Sequence, residues 1–330
     1  MLSDSSLASL LLVMVGIPGC YLNWLTVIGV LDSKTPFEMI CSIHAIGDLL
    51  IVILMTFWCA PVIFSNATTF GEGIANTICG SIICYAWYLT HFTQFTQAIN
   101  RFMAIHSYMY YKSVFSTYNT KRILLVLCTF LLVYFFVPYI DGCHFVFYLA
   151  TWQWSFQPTQ CGLIFGLYLD FYFTIALLLL ISALDLCTAV GIYHHMKNLR
   201  SNSRHFSRTE LLFFIQSCLS NFVFIVDLAL FFVGPVIYKS MFGRAPDKFG
   251  SFMINTLFMQ ISHSLDGLIM ALFNRRTRSR ILSPRGVCKR RVGETSFLRS
   301  SNSKLPVIAT IDRAGDSSRH FPKPESETKH

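Results

Sequence analysis

Charge is what this sequence has least of. Only 13% of its 330 residues are Asp, Glu, Lys or Arg, about half the share usual in a soluble domain. From Ile78 to Ile99 none of the four occurs, a run of some six helical turns. No soluble core requires such stretches, or 54% hydrophobic residues with 31 phenylalanines, so the composition indicates a polytopic membrane protein. No internal repeat is visible, which argues against transporter folds built from duplicated halves. No hydrolase, kinase, phosphate-loop or metal-ligand motif is present, so neither an enzyme nor a cofactor or metal site is expected. His194 and His195 are adjacent and therefore point to different helical faces. The net charge of +9 comes without any nucleic-acid-binding motif and sits in loops and tail between apolar spans. Membrane lipids, not nucleic acid, are the expected partner for it. Most of the eleven cysteines lie singly in apolar runs, where a thiol is a small buried hydrophobe.

What is present is a series of seven apolar windows: Leu7–Leu31, Met39–Phe64, Ala75–His106, Arg122–Ile140, Gly162–Tyr193, Glu210–Val233 and Phe249–Phe273. Each is long enough to cross a bilayer as a helix. The expected fold is all-α, a seven-transmembrane bundle over residues 1–273. The first window has Asp4 before it and no basic flank, which favours a retained helix over a cleaved signal peptide. With the N-terminus outside and the C-terminus in the cytoplasm, 23 of the 26 lysines and arginines fall on the inner side. Without the tail the balance is still nine to three.

In that orientation the one Asn-x-Thr sequon, Asn66-Ala67-Thr68, lies in the first outer loop, where glycosylation at Asn66 can occur. Cys143 and Cys161 bound the second outer loop on the oxidising side. A bridge between them would restrain that loop by roughly 3 kcal/mol; the alternative is two unpaired thiols. The segment 274–330 changes character. Its start, with Arg275, Arg276, Arg278 and Arg280, suits an amphipathic strip along the inner leaflet. Cys288 is a candidate palmitoylation site, and the rest of the tail has a disordered composition.

Ionisable groups inside spans are expensive and mark a pathway or a switch. Those here are Asp48 with His44 one turn earlier, His91, Asp170, Asp185, Asp227, and His263 with Asp266. Asn23, Asp48 and Asp266 can converge on a central polar cluster. Arg101 stands at the inner end of the third window, flanked by Asn100 and Phe102. A lone guanidinium at that depth resembles the Asp/Glu-Arg-Tyr switch of rhodopsin-like G-protein-coupled receptors; an arginine snorkelling to headgroups is the bland alternative.

The order and spacing of several stretches is similar to the nematode serpentine receptor class x family of chemoreceptors, over about Leu22 to Asn274. They are Ile46-Gly47-Asp48, Asn100-Arg101-Phe102-Met103-Ala104-Ile105, Tyr168-Leu169-Asp170-Phe171, Asp185-Leu186, and His263-Ser264-Leu265-Asp266-Gly267 through Phe273-Asn274. The resemblance implies a plasma-membrane receptor of chemosensory or other neurons, sensory cilia included. It would bind a small extracellular ligand and activate a heterotrimeric G protein. Asn100, Arg101 and Phe102, with Asp266 and Gly267, would form the activation switch. Trp87, Tyr88 and His91 are expected to meet the ligand in the outer half of the bundle, where aromatic walls and a few polar anchors make a pocket. A peptide receptor of the same architecture is the alternative within this class, and a channel or transporter the alternative outside it. Counting back from Arg101, Asn76 stands where rhodopsin-like receptors carry a bridging cysteine, so Cys79 is expected to be free.

Overall fold

The computed structural model describes residues 3–31, 35–66, 73–199, 208–274 and 278. The expected tail 274–330, its Cys288 and two residues of the sequon, Ala67 and Thr68, lie outside the described residues apart from positions 274 and 278. Seven long helices follow one another: α1 (Asp4–Leu31), α2 (Pro36–Ser65), α3 (Ile74–His106), α4 (Thr117–Tyr139), α5 (Gln160–Leu163, Ile164–Tyr172 and Phe173–Leu199 in succession), α6 (Arg208–Phe242) and α7 (Lys248–Phe273). A short helix, Tyr108–Val114, joins α3 to α4.

Their ends follow from capping chemistry. Pro36 opens α2 at the position where a missing N–H costs nothing. Ser116 caps α4, accepting from the Asn119 N–H at 3.2 Å, which starts that helix five residues before its first apolar run. Thr159 and Asp247 cap α5 and α7 in the same way. Asn66 ends α2 in the left-handed region at φ 48°, and Gly243 ends α6 at φ 68°.

One boundary corrects the sequence reading. The sixth window closes at Val233, yet α6 runs on to Phe242 with Pro235 inside it. Pro235 removes one backbone donor from that helix. Gly234 lets the chain pass close to Ile254 of α7.

Among the described residues six helices are long and apolar enough to cross a membrane. The seventh long one, α3, is too polar for that measure, and the reason is its place. It packs on α2, α4 and α5, and Thr90, His91, Thr93, Gln94, Gln97, Asn100 and Arg101 along it are all buried. The outer surface is the opposite. On α4, Leu125, Val126, Phe130 and Val133 are each more than half exposed, as suits side chains facing lipid tails.

The loop between Cys143 and Cys161 holds structure that the apolar windows did not indicate, a hairpin of β1 (Phe145–Tyr148) and β2 (Gln153–Phe156). Phe145 pairs with Phe156 and Phe147 with Trp154, and the buried face of this small sheet caps one end of the bundle. Cys143 and Cys161 are bonded to each other with Cα atoms 5.1 Å apart.

Candidate functional site

Three polar centres lie along the bundle. At the hairpin end, Asn76 of α3 receives the Phe147 N–H at 2.9 Å and donates to the Phe147 carbonyl at 3.1 Å. Its amide thus serves β1 as a short extra strand. Gly80, one turn deeper, leaves room for the Phe145 carbonyl at a place where any Cβ would collide with it. On the other side, the Thr256 hydroxyl donates to Trp152 O at 2.5 Å and Gln153 donates to Ser251 O at 3.2 Å. The hairpin is therefore tied to both α3 and α7.

Beneath it is a narrow cavity of about 40 Å³ walled by aromatic rings. Trp87 and Tyr88 line it, with Phe145, Trp154 and Phe232. His91 does not line it. The His91 ring lies one turn along α3, bonded through Nδ1 to the Trp87 carbonyl at 2.8 Å and packed against Phe224. Two carboxylates unassigned by the sequence reading take part instead, Asp170 of α5 and Asp227 of α6.

The second centre lies in the middle of the bundle. His44 Nδ1 meets the Thr93 hydroxyl at 2.9 Å and Nε2 meets Asp266 at 2.5 Å and Asp48 at 3.5 Å. Thr93 spends its own proton on the Leu89 carbonyl, so it accepts from His44. Asp266 also accepts from the Ser220 hydroxyl, and Asp48 meets His263 Nδ1 at 2.8 Å. All four ionisable groups are fully buried, and five helices (α1, α2, α3, α6 and α7) contribute, since Asn23 joins from α1.

Asn23 reaches the cluster differently from expectation. Its side chain donates to the backbone carbonyls of Gly19 and His263, both at 3.2 Å, and not to Asp48 or Asp266. The two histidines do the work that the sequence reading gave to the amide, because imidazoles can carry protons between buried carboxylates. Ligand atoms of His44, Asp48 and Asp266 lie within 4.8 Å of one another, a set that could hold a cation.

The third centre is Arg101. Its guanidinium is buried and donates through Nη2 to Asp185 of α5 at 2.6 Å. Among the described residues Nε and Nη1 have no partner. Arg101 borders a crevice of about 190 Å³ that Asn100, Tyr108, Thr188 and Phe213 also line. Phe102 is not part of that lining; its ring packs on His106, with centroids 4.7 Å apart. Asp266 and Gly267, expected to act with Arg101, belong to the central cluster instead. Gly267 lies against α1, where an added Cβ would come within 2.6 Å of Asn23 Oδ1.

The cavity and the central cluster adjoin one another. Ser262 donates to Asp227 at the cavity, and the next residue, His263, bonds Asp48 in the cluster. The carboxylates and histidines among the missed partners were visible as ionisable residues inside spans, whereas the hydroxyl partners Thr93, Ser220 and Ser262 carried no such signal. Nothing in the linear order says which of them face each other.

The seven helices, with a buried arginine at one end and a hairpin at the other, form a rhodopsin-type bundle. The fold of squid rhodopsin matches with a TM-score of 0.68, covering 93% of this chain and 94% of the other at 15% identity. The model of the family described as "Serpentine type 7TM GPCR chemoreceptor Srx" matches residues 13–274, and the chain belongs to that family. Serpentine receptor class X 45 of Caenorhabditis elegans is 21% identical over 268 residues, 76% of this chain and 73% of that protein. The protein is accordingly a multi-pass membrane receptor and not an enzyme.

Proposed function

We propose that the protein is a chemosensory receptor of the plasma membrane, sensory cilia included, with its N-terminus outside and its C-terminus in the cytoplasm. A small extracellular ligand enters at the hairpin end, and the Arg101 end engages a heterotrimeric G protein. The observation that carries this reading is the buried ion pair of Arg101 with Asp185, with Arg101 on the lining of a crevice. A buried ion pair contributes little net stability, so a two-state role is the better account of a charge kept there.

In this reading the pair holds α3 to α5 in the resting state. Ligand binding favours a conformer in which α5 and α6 part from α3 at that end, and it does so only through differential affinity for the two states. The contact of Phe37 with Phe213, centroids 4.6 Å apart, joins α2 to α6 and has to open in the same movement. The confined cavity under the hairpin favours a small molecule over a peptide.

The test is a ligand screen in cells expressing a promiscuous G protein. Arg101→Ala abolishes the ligand-evoked signal while surface delivery persists, and Asp185→Asn raises the signal without ligand. Full signalling by Arg101→Ala removes the mechanism.

A further inference from the structure

The hairpin-end cavity holds two carboxyl groups, Asp170 and Asp227, that no cation among the described residues pairs with in a salt bridge. Asp227 is buried, and its hydrogen bond comes from a neutral donor, the Ser262 hydroxyl at 2.9 Å. Asp170 lies beside the indole nitrogen of Trp87. Among the described residues neither carboxylate makes a salt bridge, and no residue lining the cavity is basic. A second polar group has been left open there. Tyr88 is on the lining and only 3% exposed, and among the described residues its hydroxyl oxygen has no partner. A buried phenol without a hydrogen bond is costly and calls for a group to accept or donate to it.

The walls suit a cation. Aromatic faces attract ammonium groups, more strongly when water is excluded. Phe231, Phe232, Trp87 and Trp154 surround the two carboxylates. At about 40 Å³ the inner space holds only a few water-sized groups. Asp170, Phe231 and Phe232 also line a neighbouring recess of about 640 Å³ between the hairpin, the α5 stretch Ile164–Tyr172 and α6. That α5 stretch is wound as a π-helix, a form concentrated at functional sites.

We propose that this site takes a small primary or secondary amine, its ammonium against Asp227 and Asp170 within reach of the Tyr88 hydroxyl, its apolar remainder in the recess. The proposal rests on the receptor reading and adds the ligand class. Ser262 and His263 connect such an ammonium to the central cluster through two consecutive residues of α7.

The full chain, purified into phosphatidylcholine nanodiscs, is melted with 2-phenylethylamine or hexylamine and with their neutral counterparts 2-phenylethanol and 1-hexanol. At saturation the amines raise the melting temperature by about 2 °C or more, and the alcohols leave it in place. Asp227→Asn and Asp170→Asn each raise the amine concentration needed for that shift at least about tenfold. Equal shifts by alcohols and amines overturn the proposal, as does the absence of a shift with both amines. Should an Asn variant fail to fold, the amine–alcohol comparison on the unaltered protein still decides. The assay contains no G protein, so the two ideas fail separately. Amine binding without any signal in cells keeps this site and removes the receptor reading. A neutral ligand whose signal Arg101→Ala abolishes does the reverse.

Discussion

At the scale of single residues, the same chemical type does different work according to what it faces. Three amides show this. Asn76 replaces a covalent tether with two hydrogen bonds to Phe147, Asn23 braces α7 through a backbone carbonyl, and Asn100 borders the arginine crevice. Asn76→Ala strips a buried N–H and carbonyl of their partner, at about 2–4 kcal/mol. A melting temperature lowered by several degrees, with reduced binding at the hairpin end, is the expected result. Gly267→Ala should also destabilise, by about 1–3 kcal/mol, because its methyl group meets the Asn23 amide. Adding Asn23→Ala removes the obstruction, so the double variant should recover part of the loss in a thermal melt. Recovery identifies Gly267 as a packing residue; an unrecovered loss points to a separate role.

At the scale of elements, the hairpin is a lid held at several points. The disulfide closes a loop with a sequence separation of 18, and Asn76, Thr256 and Gln153 hold the strands down on α3 and α7. Cys143→Ser with Cys161→Ser should cost roughly 3 kcal/mol through loop entropy. The remaining ties keep the strands in place, so hydrogen exchange in 145–156 should accelerate ahead of exchange in the helices. The same physics separates α3 from the other spans. Its polar residues are turned inward, and a lipid-facing position for it would strand buried amides and a guanidinium in hydrocarbon.

At the scale of the whole molecule, orientation is the prediction to test. Asn66→Gln should abolish a glycosidase-sensitive mobility shift, and a tag after His330 should be reached by antibody only in permeabilised cells. A tag accessible on intact cells would reverse the topology on which the G-protein role depends. The sequence by itself determined the class of fold, because seven charge-poor runs of bilayer length leave a polypeptide few other ways to satisfy its backbone. It also displayed every ionisable group of the three centres, since each charge in an apolar run stands out. The partnerships among them were decided by tertiary structure alone. Arg101 with Asp185, His44 with Asp266 and His263 with Asp48 join residues 84, 222 and 215 positions apart. Helical rotation and tilt set those contacts, and both depend on how the helices pack against one another, which no local pattern encodes.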